Sequence, residues 1–211
     1  MKKRLFSVLY MFVLTLCFTS IVSAVKYFND ERIETNQRVK LQKIILKVLG
    51  ISLQEKAPDQ ELVRVFEAQI KAIEVEGKNL YVGYEEDGQT IRGYAFPVGG
   101  PGFWGPVYGM AAVDPRATKI LGMAFYKHSE TPGLGGRISE DWFSNQFKGL
   151  PLFPVETDKK IFYLKPAGTG KRPNELDAIT GATGTSRAVE AFLNKDLRNF
   201  LEEFKLISGR K

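Results

Sequence analysis

Residues Leu5 to Val25 carry no charge and follow directly on Lys2-Lys-Arg4. At about 1.5 Å per residue, an uncharged helix of that length spans roughly 31 Å, the thickness of a hydrocarbon core. The run therefore predicts a single membrane helix. The competing reading is a cleaved signal peptide, with Val22-Ser-Ala24 as the cleavage site. A lipidated cysteine fits poorly, because Leu14-Thr-Leu-Cys17 lacks the small residues expected just before one. Basic residues flanking such a helix stay cytoplasmic. The expectation is a single-pass protein of the inner (cytoplasmic) membrane, in contact with the lipid bilayer, with its folded part on the extracytoplasmic side.

With 211 residues and 44% hydrophobic content, the remainder can bury a core of its own. The expected division is an anchor helix over 1–25, a stem and packing helix over 26–58, and one domain over 59–211. The formal charge of +6 comes from scattered basic residues without any zinc, helix-turn-helix or RNA-binding signature, so no nucleic acid partner is expected. Cys17 is the only cysteine. It lies in the apolar run, so the chain cannot build a disulfide framework or a cysteine-ligated zinc or iron-sulfur site. No metal ligands and no catalytic residues are assigned.

Beyond the polar stretch 26–40, Leu41, Ile44, Ile45 and Val48 follow helical spacing, and Gly50 supplies a C-terminal stop with Ile51 beyond it. A second helix is predicted over Asp59–Ile73, with Asp59 as cap and Leu62, Val65, Phe66 and Ile70 as its stripe. After Glu76-Gly77 the period changes to strands. Residues 79–85 and 89–96 read as one hairpin around Glu86-Asp-Gly88, and 107–113 and 118–126 as another around Asp114-Pro-Arg116. Residues 160–164 can add one more strand, and 137–147 reads as a short helix with Ile138, Trp142 and Phe143. Strands bracketed by helices, without regular βαβ alternation, predict an α+β fold with a largely antiparallel sheet.

The run Asp177-Ala-Ile-Thr-Gly-Ala-Thr-Gly-Thr-Ser186 leads into a periodic segment, 187–205, in which Val189, Phe192, Leu193, Leu197, Phe200, Leu201 and Phe204 share one helical face. Ser186 or Thr185 is the expected N-cap. Glycines and hydroxyls just before a helix let the backbone approach a ligand, and the free amides of the first turn attract an anion. A phosphate is therefore expected near Thr183. The alternative is an ordinary capped loop.

Two further loops carry chemistry. In His128-Ser-Glu-Thr-Pro-Gly-Leu-Gly-Gly136 the Pro-Gly and Gly-Gly pairs make tight turns that expose amides, and Glu130 and Thr131 add polar groups. His128, the only histidine, could relay protons or be a bystander. In Val98-Gly-Gly-Pro-Gly-Phe-Trp-Gly-Pro106 the density of Gly and Pro predicts a shaped loop without regular structure. Its Phe103 and Trp104 offer flat apolar surfaces to a ring, or simply cover the sheet. Ala167-Gly-Thr-Gly-Lys171 is not a nucleotide P-loop, because Lys165 stands at the first glycine and Arg172 at the Ser/Thr. Gly181-Ala-Thr183-Gly184 lacks the spacing of a hydrolase elbow.

Thr180-Gly-Ala-Thr183 with Asp177 upstream resembles the Ser/Thr-Gly-Ala-Thr flavinylation motif, and His128–Gly136 resembles a second signature of one covalent flavoprotein family. That family comprises the FMN-binding subunits of membrane redox pumps, found in the Na+-translocating NADH:quinone reductase and in the Rnf electron-transport complex. The resemblance spans roughly residues 1–205. It implies FMN bound covalently through Thr183 as a phosphoester, made by a separate flavin transferase, in an electron-relay protein surrounded by other subunits of a membrane redox complex. It further implies that Thr180, Gly181 and Ala182 form the motif loop and that Gly184, Thr185 and Ser186 donate backbone hydrogen bonds to the phosphate. Glu130, Thr131, Leu134 and Gly135, with Trp104, would line the ring pocket, and Asp177 would serve transferase recognition or order the loop. Gly184 departs from the family pattern, which has a larger residue there. Other readings are an exported flavin-binding module outside any pump, or a structural subunit with a vestigial motif.

Overall fold

The structure, a computed structural model, describes residues 2–52, 58–75, 77–152 and 160–208. It divides into two compact units, Met1–Leu41 and Gln42–Lys211. The expected anchor, stem and packing helix all fall within one helix, α1 (Lys2–Val48). Within it Arg4–Asp30 is long and apolar enough to cross a membrane. The helix ends as the sequence indicates. Gly50 adopts a φ of 70°, its amide donates to the Lys47 carbonyl, and the Ile51 amide donates to the Leu46 carbonyl, which satisfies two of the helix's terminal carbonyls.

Helix α2 covers Asp59–Gln69, four residues shorter than expected, because Ile70–Val75 is strand β1. The β-branched Ile70, Ile73 and Val75 pair instead with β2 (Lys78–Tyr84), and Gly77, with φ 77°, lies in the turn. Glu76 of the expected break lies outside the described residues. Asp59 is the first helical residue rather than the cap, a position held by Pro58. Strands β3 (Ile91–Pro101), β4 (Pro106–Val113) and β5 (Ile120–Lys127) complete an antiparallel sheet in sequential order, so the α+β reading with an antiparallel sheet holds.

The segment expected to be irregular, 98–106, is mostly strand: Val98–Pro101 pair in register with Pro106–Gly109, leaving only Gly102–Gly105 as loop. The glycines there serve close contact rather than irregularity. A Cβ on Gly100 would lie 2.5 Å from Cβ of Phe192, so the last helix runs directly over this strand.

That helix, α4 (Thr183–Ser208), covers one sheet face: Phe96 stacks on Phe200 with centroids 3.9 Å apart. Phe125, Phe143, Phe147, Phe162, Ile179, Val189, Leu193 and Leu197 fill the same core. Each such side chain contributes about 1.5–3 kcal/mol on burial. The opposite face receives the end of α1, where a Cβ on Gly122 would meet the Val48 carbonyl at 2.5 Å. The helix expected over 137–147 is split into a 3-10 turn, Gly135–Ser139, and α3 (Asp141–Asn145), because Glu140 is extended between them. Strand β6 (Tyr163–Lys165) does not join the main sheet. It pairs in parallel with β7 (Glu175–Asp177).

Candidate functional site

Helix α4 begins at Thr183, earlier than the spacing suggested, and the reason lies in the motif hydroxyls. The Ser186 amide and hydroxyl both donate to the Ala182 carbonyl at 3.0 Å, and the same hydroxyl accepts the Ile179 amide at 3.1 Å. Ser186 thus ties the motif loop to the first helical turn from inside, instead of capping the helix. Ile179–Ala182 close a tight turn, with Gly181 at φ 79° in the third position that favours glycine. Because the Ser186 amide makes the first intrahelical bond, the amides left ahead of it belong to Thr183, Gly184 and Thr185. The expected donor set of Gly184 to Ser186 moves back by one residue.

The two candidate hydroxyls are in opposite environments. Thr183 is exposed and lines a cleft of about 370 Å³ with Leu164, Pro166, Thr180, Gly181 and Arg187. Thr185 is 3% exposed, and its hydroxyl donates to Glu130 Oε2 at 2.5 Å.

Glu130 is itself 4% exposed. Its Oε1 accepts the amides of Phe103 at 2.8 Å and Trp104 at 3.0 Å. One carboxylate thereby joins the β3–β4 tip, the 128–136 loop and the first turn of α4. Burial pushes its pKa up, but the hydrogen bonds from Thr185, Trp104 and Phe103, with nearby His128, outweigh that and hold it below the usual carboxylate range. His128 Nδ1 accepts the Glu130 amide at 3.3 Å. Thr131 contributes its carbonyl, which accepts the Leu134 and Gly136 amides around Gly133 at φ 73°; its side chain is exposed.

Close approach explains the glycines. A Cβ on Gly135 would collide with the Thr185 hydroxyl and come within 2.7 Å of Glu130 Oε2. A Cβ on Gly181 would meet Leu134 Cδ2 at 3.2 Å. The space a side chain at Gly184 would need is filled by the Phe103 ring, so the departure from the family pattern has a local cause. Phe103 and Trp104 meet edge to face with centroids 5.4 Å apart and are 62% and 68% exposed; Leu134 is 45% exposed. Asp177 sits in β7 and accepts the Gly168 amide at 2.8 Å, fixing the turn that follows Pro166 and Ala167 in the cleft wall. The segment that imitates a P-loop, residues 167–171, begins in this wall with Ala167.

The structure thus brings together Trp104, Glu130, Leu134, Gly135 and the 180–186 loop, with Asp177 behind the cleft wall. Sequence reasoning missed Phe103 as the partner of Gly184, and Arg187 in the cleft. Arg187 lies four residues after Thr183, a spacing that would have exposed it had the helix start been placed correctly. A second groove of about 310 Å³, lined by Leu80, Phe96, Tyr108, Tyr126 and Phe200 among others, contains none of the residues expected at the site.

Residues 102–198 match the FMN-binding domain family, an interval that contains every one of these site residues. Over this interval the chain is similar to the FMN-binding domain family. It is 34% identical over 108 residues to the NqrC subunit of the Na(+)-translocating NADH-quinone reductase of Yersinia pestis, covering 51% of this chain and 41% of that one. Against the corresponding subunit of the Haemophilus ducreyi enzyme it is 32% identical over 135 residues, covering 62% and 52%. The chain therefore spans about half the length of these relatives. The fold is similar to that of the same reductase subunit from Parabacteroides distasonis, with a TM-score of 0.67, 26% identity and coverage of 81% and 94%. Shewanella oneidensis NqrC gives a TM-score of 0.66 at 20% identity, covering 77% and 93%. The residues present fit a flavin nucleotide. Exposed Trp104 and Leu134 offer apolar surface to a ring, and the Thr183 hydroxyl and the first-turn amides offer contacts to a phosphate.

Proposed function

We propose that this chain is a membrane-anchored electron-relay subunit that carries FMN as a phosphoester on Thr183 and works inside an ion-translocating complex of the Na+-NQR or Rnf type. The observation that carries the covalent site is the contrast between the two hydroxyls: Thr183 faces an open cleft, and Thr185 is buried on Glu130. A separate flavin transferase can reach only the first. The matched relatives, named as subunits of an NADH-quinone reductase, support neighbours that are themselves membrane redox subunits.

The flavin supplies reversible electron uptake and release; the protein supplies position. Thr183 retains the nucleotide at its far end, keeping a carrier that would otherwise diffuse away at high effective concentration beside its partners. Thr183, Gly184 and Thr185 point their amides at the phosphate, the Thr180-Gly181-Ala182 turn lets it approach the backbone, and Trp104 and Leu134 take the ring. Glu130, Thr131 and Gly135 shape that pocket from behind. Asp177 sets the cleft wall against which the transferase works. Helix α1 anchors the chain, with Lys2–Arg4 on the cytoplasmic side and the FMN domain across the membrane.

The test is a denaturing gel viewed for flavin fluorescence after co-expression with a flavin transferase. Wild type and Thr185→Val should fluoresce and gain the mass of one FMN less water, and Thr183→Val should do neither. A fluorescent Thr183→Val beside a dark Thr185→Val would move the ester by two residues. A dark wild type would end the proposal.

A further inference from the structure

The cleft beside Thr183 contains a cation with no assigned work. Arg187 is exposed, lines the cleft with Thr183, and makes no ion pair or hydrogen bond among the described residues. Four residues apart on α4, the two side chains lie on the same helical face, within reach of one small group. The only acid lining the cleft among the described residues, Glu190, is already committed: its Oε1 pairs with Lys160 and its Oε2 accepts the Leu164 amide at 2.6 Å. Asp177, behind the wall, is turned to the Gly168 amide. The acids are thus neutralised or turned away, and Arg187 leaves the cleft with a net positive charge. An arginine held in that way without a carboxylate partner matches an anion, and its planar fork suits two phosphate oxygens at once.

We infer that Arg187 is the cationic seat of the flavin phosphate, a positioning residue that clamps the diester formed on Thr183 and so fixes the direction in which the nucleotide leaves the helix. The inference rests on the Thr183 reading and adds a specificity: the cleft takes a phosphate ester in preference to a neutral adduct. It also accounts for the Lys160–Glu190 pair, which keeps a carboxylate one turn along the helix from competing for the guanidinium.

The full chain is purified in detergent with and without co-expressed flavin transferase, as wild type, Arg187→Gln and Arg187→Lys. Two readings are taken: the 31P resonance of the attached phosphate, and the difference in Tm between flavinylated and unflavinylated protein. In the wild type the 31P resonance should stand apart from that of the same protein in denaturant, and flavinylation should raise Tm. In Arg187→Gln the resonance should move to the denatured position and most of the Tm increment should be lost, while the unflavinylated proteins melt together. Arg187→Lys should recover part of both. A purely structural role would lower Tm with and without flavin alike and leave 31P unmoved. If wild type and Arg187→Gln share one 31P position and one increment, Arg187 is not the seat. If mass spectrometry finds no flavin on the wild type, the reading of Thr183 fails first and this inference falls with it.

Discussion

The Glu130 carboxylate accepts three hydrogen bonds in a place where burial alone would favour its neutral form. Because its folded pKa lies below the unfolded value, it contributes stability that is fully present above the ordinary carboxylate range. That stability is lost as pH falls below about 4 and through the lowered folded value. Asp114 has the same sign. Burial pushes it up, and bonds from Lys119 and Thr118 bring it below its usual range. Urea midpoints measured from pH 7 down to 3 should therefore hold and then drop, and Glu130→Gln should flatten part of the drop. Glu130→Ala strands the Phe103 and Trp104 amides and should cost about 1–3 kcal/mol at neutral pH. Gly184→Leu drives a side chain into the Phe103 ring and should cost about 1–3 kcal/mol, shifting Trp104 fluorescence through the edge-to-face contact. Adding Phe103→Ala should return part of that loss, and simple additivity of the two changes would contradict the contact. The motif residues were legible in the sequence because each is a local signal. The Glu130–Thr185 bond was not, since it joins positions 55 apart in the chain and neither residue type announces a partner.

The strand β3 shows why element boundaries were harder to read. Its residues 98–101 looked like punctuation, yet they pair fully with β4. What glycine and proline punctuate here is the other edge. Paired register with β2 ends at Tyr81 and Ala95, so beyond it β3 has an open side. Pro97 and Pro101 have no amide hydrogen to offer there, and the Gly99 amide donates to Asp196 of α4 at 2.8 Å. An edge without free donors resists pairing with another chain. Asp196→Ala should cost about 1–3 kcal/mol and raise self-association, read by denaturant titration and by light scattering against concentration. Asp196→Asn keeps an acceptor and should recover most of both; identical behaviour of the two variants would remove the edge argument. The same competition between local and long-range signals moved the end of α2. Its apolar spacing continues into Ile70 and Ile73, but the sheet offered those β-branched residues a paired, half-buried place. Helix α4 was legible along its whole apolar face. Its start was not, because Thr185 and Ser186, good cap types, spend their hydroxyls inward.

At the scale of the whole molecule, one helix belongs to both compact units, and the boundary between Leu41 and Gln42 falls inside it. Every residue of the proposed site lies in the second unit. Residues 42–211 expressed alone should stay in the soluble fraction and accept flavin on Thr183, and the full chain should pellet with membranes and resist extraction by carbonate. The orientation proposed above, with the FMN domain across the membrane from Lys2-Lys-Arg4, rests on the cost of translocating that basic cluster beside the span Arg4–Asp30. In intact spheroplasts, protease added outside should therefore digest the FMN domain and release its covalent flavin into the medium on a peptide containing Thr183, with a cytoplasmic marker protein untouched. A domain protected until the spheroplasts are lysed would place the flavin on the cytoplasmic side, and with it the transferase and the redox partners proposed for this chain.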